Sequence, residues 1–239
     1  MLQLFKSLSQ KLFQTGKQTV VPQLAPLLMT IWIGGLAVAA IALWGFAEIA
    51  RSVWQQETLA MDTAILRSLQ SLHSPQLDQL MIGITTLGDP TILILLCGSV
   101  TLALLQRRQW SDAIALSATL GGAIGLNFWL KAVFERDRPL LWERIVNASY
   151  HSFPSGHAMV SMAVYGLLGY GLSRALPQRQ VIIFSLTTLL IAAIGLSRLY
   201  LGVHWPTDVL AGYAAGLVWL VTCVLGIEAA KIHFSSRNS

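Results

Sequence analysis

Long apolar runs at about 26–47, 90–106, 112–131, 156–174, 180–197 and 207–228 decide what this chain can fold into. Crossing about 30 Å of hydrocarbon as a helix takes roughly 17 to 25 apolar residues. Inside hydrocarbon only a helix or a closed barrel satisfies its own backbone. Six such runs predict an all-α, polytopic membrane protein with six transmembrane helices. An apolar fraction of 54% and a mean hydropathy of +0.62 agree. Little chain remains for anything else, so residues 1–239 read as a single membrane-embedded domain. Its two long connections are 48–89 and 132–155.

A net charge of +5 raises the question of nucleic acid. The bases are dispersed between helix ends and one loop, with no basic run carrying interleaved aromatics, so no nucleic-acid partner is expected. Alternate connections carry nine Lys and Arg on one face (Lys6, Lys11, Lys17, Arg107, Arg108, Arg174, Arg179, Lys231, Arg237) and seven on the other. Nine of the eleven acids fall on the second face, which marks its bases for local pairing or binding rather than topology. The reading places both termini in the cytoplasm and the connections 48–89, 132–155 and 198–206 on the periplasmic or outer face of the plasma (inner) membrane. The weakly basic segment 1–25 is amphipathic and lacks the pattern of a cleaved leader, so it is expected to lie on the cytoplasmic surface. Cys97 and Cys223 sit inside apolar runs and say nothing of redox compartment.

The connection 48–89 is too polar to span. Leu59, Ile65, Leu66, Leu69 and Leu72 recur at helical spacing, which predicts an amphipathic helix along the outer interface, followed by a short helix over 76–87. Asp89 before Pro90 reads as a cap that starts the next span. Small residues in "GGAIG" and "AGYAAG" allow close helix approach. "NAS" at 147–149 matches a glycosylation sequon, a pattern short enough to arise by chance.

Ionisable groups at membrane depth are costly and mark function. Here they gather at three places, all assigned to the outer face. In "KAVFERDRP", Lys131 ends the third run and Arg138 follows two helical turns later, so both point to one side if the helix continues. In "FPSGHA", Ser155, Gly156 and His157 lead into the fourth run, where free N–H groups of a helix start form an anion site. In "SRLYLGVHWPTD", Arg198 leaves the fifth run while His204 and Asp208 flank the start of the sixth. Lys131, Arg138 and Arg198 would surround a phosphoryl group with positive charge. Asp208, four residues after His204 and in a first helical turn, fixes the imidazole tautomer and leaves the other nitrogen able to attack. His204 is therefore the candidate nucleophile and His157 the candidate general acid. Taken alone, each piece has a duller reading: a helix cap, a structural histidine, a snorkelling lysine. Their convergence on one side of a bundle is what gives them weight.

At these residues the chain resembles the type 2 phosphatidic acid phosphatase superfamily. That signature is Lys, six residues, Arg-Pro; then Pro-Ser-Gly-His; then Ser-Arg, five residues, His, three residues, Asp. Here it stands as Lys131 to Arg138-Pro139, Pro154 to His157, and Ser197-Arg198 to His204 to Asp208, with no departure in type or spacing. The motifs cover 131–208. The resemblance implies a metal-independent integral membrane lipid phosphatase with no cofactor, acting through a phosphohistidine on His204. It implies that Asp208 orients His204, that His157 protonates the leaving oxygen, and that Lys131, Arg138, Arg198, Ser155 and the Gly156 amide hold the phosphate. The expected partners are membrane lipids and a lipid phosphate or pyrophosphate substrate: phosphatidic acid, phosphatidylglycerol phosphate or, as an alternative role, undecaprenyl pyrophosphate alone. The vanadium haloperoxidases of the same superfamily are soluble, which six apolar runs oppose. A transporter would carry its ionisable groups near mid-membrane, whereas here they stand at the outer ends. A metal held by His157, His204 and Asp208 would be repelled by the surrounding bases.

Overall fold

The structure, a computed structural model, describes residues 32–143, 145–146 and 150–237, the last seven as backbone only. The amphipathic segment expected over 1–25, the opening of the first apolar run and the sequon at 147–149 lie outside the described residues. Among those residues every regular element is helical: α1 (Trp32–Trp54), α2 (Leu59–Gln70), α3 (Pro75–Thr86), α4 (Pro90–Gln106), α5 (Trp110–Phe134), α6 (Gly156–Ala175), α7 (Gln180–Tyr200) and α8 (Pro206–Arg237). A 3-10 turn, Pro177–Arg179, links α6 to α7. The chain divides into two units, Met1–Val38 and Ala39–Ser239. The first contributes only the opening turns of α1 to the described residues, and the architecture below is that of the second.

Local chemistry sets the helix boundaries. The Ser74 hydroxyl accepts from the Leu77 N–H at 3.4 Å, with Pro75 in the first turn. Asp89 Oδ1 accepts from the Thr91 N–H at 2.8 Å before Pro90, as its sequence position predicts. The end of α5 departs from expectation. Glu135 turns left-handed (φ 45°) while its N–H still bonds the Lys131 carbonyl. The helix therefore stops at Phe134 and does not carry Arg138 round two further turns; the proline at 139 disfavours helical geometry just before it.

α6 lies at the centre, packed against α8, α7, α5 and α4. Its inner residues Val160, Ala163, Val164 and Leu167 join Leu93, Cys97, Leu116 and Ala123 in the core. The expected small-residue approaches occur where α8 meets α6. A Cβ on Gly212 would stand 2.7 Å from the Ser155 carbonyl oxygen, and one on Gly216 2.5 Å from that of Met159. These glycines bring α8 against the first turns of α6. Large apolar side chains such as Ile94, Leu95, Ile114, Trp129, Val181 and Leu189 face outward instead, a surface that suits hydrocarbon.

Among the described residues four helical stretches are long and apolar enough to cross a membrane: Trp32–Trp54, Trp110–Phe134, Pro177–Tyr200 and Pro206–Ala230. α3 and α4, bent by 45° at their junction, make a fifth if they count as one broken span. The run expected at 90–106 is thus the second half of that pair. The run expected at 156–174 is α6, which is not among the five; sheltered by its neighbours, it carries buried Ser161 and Ser173. α2 forms as the periodicity predicts, but Asp62 and Leu66 are its buried residues, while Leu59, Ile65 and Leu72 are exposed. α2 packs against α7 and α8, and α3 against α7.

Candidate active site

The ends of α5, α6, α7 and α8 bring the three motif regions together. The turn from α7 to α8 passes through Gly202 at φ +67°, where a Cβ would also strike the Trp142 ring at 2.6 Å. It delivers His204, 2% exposed, one turn ahead of Asp208, which is fully buried. His204 Nδ1 lies 3.3 Å from Asp208 Oδ2, at the long end for a hydrogen bond, and 3.4 Å from the Ser152 hydroxyl. The same Asp208 oxygen accepts the Trp205 N–H at 2.8 Å and the Ser152 hydroxyl. His204 Nε2 faces Arg138 Nη1 at 3.1 Å. A guanidinium only donates, so Nε2 must accept, and the ring proton of the neutral imidazole sits on Nδ1 toward Asp208. Burial first, then the charges of Arg138, Arg198 and Lys131, hold the His204 imidazole well below its ordinary range near 6.5. It is therefore neutral, with a lone pair on Nε2.

The three cations whose charge acts on His204 come from different elements. Arg138 donates to the Val203 carbonyl at 2.6 Å and to the Tyr150 carbonyl at 2.9 Å. Lys131, 8% exposed at the end of α5, donates to the His151 carbonyl, which also takes Arg138 Nη2 at 3.4 Å. These two cations reach the segment that enters α6. Arg198, 6% exposed, donates through Nη1 to Thr85 Oγ1 at 2.7 Å; its buried Nε has no hydrogen-bond partner among the described residues. The charges of Arg198, Arg138 and Lys131 all act on His157 at the start of α6. His157 makes no hydrogen bond with another described residue, and its ring packs beside the α3–α4 junction, where a Cβ on Gly88 would stand 3.2 Å from His157 Cδ2.

The turn before α6 is pinned from two sides. The Ser155 N–H donates to the Asp208 carbonyl at 2.9 Å, and the Ser155 hydroxyl caps the helix through the Ala158 N–H at 3.5 Å. Asn127 on α5 donates to the Pro154 carbonyl at 3.2 Å, and a Cβ on Gly156 would stand 2.9 Å from Asn127 Oδ1. Asn127, Ser152, Thr85 and Gly88 are contacts that the motifs did not point to. So are Arg136 and Asp62: Arg136 Nη1 donates to Asp208 Oδ1 at 2.7 Å, and its Nη2 to Asp62 Oδ2 at 2.8 Å. A cavity of about 460 Å³ lined by Val53, Trp54, Thr58, Phe134, Arg136 and Trp205, among others, opens beside Arg136. None of the motif residues singled out above lines it.

Residues 112–231 match the PAP2 superfamily, a stretch that begins in α5 and ends in α8. The chain belongs to that superfamily. As a PAP2 chain it is 32% identical, over 176 residues, to phosphatidylglycerophosphatase B of Bacillus subtilis, an alignment that covers 72% of this chain and 86% of that one. It is 31% identical over 140 residues to decaprenylphosphoryl-5-phosphoribose phosphatase of Mycobacterium tuberculosis, covering 56% of this chain and 71% of that one. The crystal structure of a transmembrane PAP2-type phosphatidylglycerolphosphate phosphatase from Bacillus subtilis superposes with a TM-score of 0.75 at 30% identity, over 80% of this chain and 96% of that one. The PAP2 protein described here is accordingly a membrane phosphatase.

Proposed function

We propose that this PAP2 protein is an integral membrane lipid phosphatase that removes the terminal phosphate of a lipid phosphate or pyrophosphate through a phosphohistidine on His204. The observation that carries the reading is the orientation of that ring: Nδ1 toward Asp208 at 3.3 Å and Nε2 toward Arg138 at 3.1 Å. The neutral Nε2 is the group able to attack phosphorus, and it sits where Lys131, Arg138 and Arg198 gather. In the first step the Nε2 lone pair forms the N–P bond, the P–O bond to the leaving group breaks, and His157 gives its proton to the departing oxygen. In the second step water attacks phosphorus, His157 takes its proton, the N–P bond breaks and inorganic phosphate leaves. The Nδ1 proton stays on the ring beside Asp208, whose charge stabilises the phosphorylated imidazole. Lys131, Arg138, Arg198, the Ser155 hydroxyl and the Gly156 N–H hold the phosphate oxygens as charge shifts in the transition state. No metal or cofactor enters this scheme.

A lipid substrate is supported by the apolar outer surface of the helices and by the lipid phosphates named for the relatives. The tail stays in hydrocarbon while the headgroup enters the polar pocket. The proposed topology has six spans within a single domain, with α4 as the second, α6 as the sheltered fourth, and α2 and α3 in the outer connection. Both termini are cytoplasmic, and the site lies on the periplasmic or outer face of the plasma membrane. The mycobacterial relative, which carries a decaprenylphosphoryl name, keeps a polyprenyl carrier as the second reading.

The test is phosphate release by purified protein in detergent from phosphatidic acid, phosphatidylglycerol phosphate, diacylglycerol pyrophosphate and undecaprenyl pyrophosphate, each with and without a chelator. Release that persists with chelator and disappears in His204→Ala supports the reading. Undiminished release by His204→Ala would overturn it, and preference for the pyrophosphate alone would favour the polyprenyl carrier.

A further inference from the structure

Behind the candidate nucleophile, Asp208 meets a second charged cluster, built on Arg136 and Asp62, positions that the signature leaves unspecified. Asp62 on α2 and Asp208 on α8 are both fully buried, and Arg136 stands between them. Its Nη1 donates to Asp208 Oδ1 at 2.7 Å and to Thr207 Oγ1 at 2.8 Å; its Nη2 donates to Asp62 Oδ2 at 2.8 Å and reaches Thr58 Oγ1 at 3.4 Å. Asp62 closes the circuit by accepting the Thr207 N–H at 3.1 Å and the Thr207 hydroxyl at 2.7 Å. The donor accounting is consistent: the Thr207 hydroxyl gives its one proton to Asp62 and accepts from Arg136. The guanidinium also lies over the Trp205 ring, 5.5 Å from its centroid, while Trp205 Nε1 donates to the Asp137 carbonyl at 2.9 Å.

The two oxygens of Asp208 are divided between two tasks. Oδ2 faces His204, Ser152 and the Trp205 N–H, while Oδ1 is taken by Arg136. A carboxylate is planar, so fixing Oδ1 fixes the direction in which Oδ2 meets His204 Nδ1. Asp62 and Asp208, two buried carboxylates held on one guanidinium, would repel each other without a cation between them. Arg136 is that cation.

We propose that Arg136, held in register by Asp62, is a positioning residue for the Asp208–His204 pair, so that α2 takes part in aiming the nucleophile. This rests on the reading of His204 as nucleophile. Arg136 acts through Asp208, and none of its bonds goes to His204, Arg138, Arg198 or Lys131.

The experiment compares Arg136→Ala, Arg136→Lys, Asp62→Asn and the Asp62→Asn/Arg136→Ala double variant with wild type and His204→Ala. Rates are measured on a short-chain phosphatidic acid, using protein that elutes as one peak in detergent. Arg136→Ala is expected to lower kcat on the order of 10²-fold, the cost of an ångström-scale misplacement, with KM within about 3-fold of wild type. Arg136→Lys recovers part of that loss. Guanidinium ion in the assay also raises Arg136→Ala activity, because the cavity of about 460 Å³ adjoins the emptied position. Asp62→Asn loses less, and the double variant loses little beyond Arg136→Ala, as members of one network should. A kcat within about 2-fold of wild type in folded Arg136→Ala, a loss carried by KM, or a loss that neither lysine nor guanidinium relieves would overturn the proposal. Should Arg136→Ala fail to fold, wild-type kcat in both Arg136→Lys and Asp62→Asn overturns it. Full activity in His204→Ala would instead sink the nucleophile reading, so the two failures are separable.

Discussion

Arg138 Nη1 stands 3.1 Å from His204 Nε2, although the two residues lie 66 positions apart. The contact leaves the lone pair on Nε2 and, on the proposed reading, sets a cation where phosphate oxygens would arrive. Arg138→Ala is expected to lower kcat/KM by about 10²- to 10³-fold, the usual cost of one transition-state donor. Arg138→Lys should recover only a small part, because an ammonium cannot reproduce the planar fork. Initial rates on one lipid phosphate check both.

Thr85 and Arg198 are joined at 2.7 Å between α3 and α7. Thr85→Val removes the acceptor of a buried charged donor, a loss of about 1 to 3 kcal/mol. With its guanidinium less firmly held, Arg198 should grip phosphate more weakly. The inhibition constant of inorganic phosphate is expected to rise about 10-fold on that footing, and competition assays read it directly.

Gly212 separates structural from chemical effects. A Cβ there would crowd the Ser155 carbonyl oxygen at 2.7 Å and Ala158 Cβ at 3.0 Å, whereas a Cβ on Gly226 meets nothing within 4 Å. Gly212→Ala is expected to destabilise by about 1 to 3 kcal/mol through overpacking. Gly226→Ala should leave the unfolding midpoint in detergent no lower than wild type.

The buried His204 also links stability to pH. Its imidazole is held well below the ordinary range, chiefly by burial and then by Arg138, Arg198 and Lys131. An unfolded chain takes up this proton near pH 6.5 while the folded chain does not. Stability is therefore lost as pH falls below about 6.5, by up to roughly 1.4 kcal/mol per unit for this one group. Thermal unfolding of wild type and His204→Asn between pH 5 and 7 should show a shallower slope in the variant.

The motif residues are legible because their chemistry is concentrated: "KAVFERDRP", "FPSGHA" and "SRLYLGVHWPTD" each set ionisable or anion-binding residues beside apolar runs. The helices are legible for a related reason, since length and hydropathy mark the apolar runs and Asp89 and Pro206 set two of their starts. Asp62 and Arg136 escaped because nothing local marks them. Asp62 is one acid on an amphipathic helix, and Arg136 is one base among the charges of "KAVFERDRP"; the fold pairs them across 74 positions. Arg138 shares a side with Lys131 only if the helix continues; it ends at Phe134, and Arg138 reaches His204 from an irregular segment. α6 combines a span-like length with serines that only its central position shelters, a fact of packing rather than of pattern.

Attack by His204 on phosphorus is tested most directly by trapping the intermediate. Wild-type protein would be mixed with a lipid phosphate carrying ³²P in its terminal group, quenched in alkali within one turnover and digested. Label stable to alkali, labile to acid and confined to the peptide holding His204 is the expected result, with none in His204→Ala. Phosphate release without any protein-bound label, or label on the peptide holding His157, would contradict it.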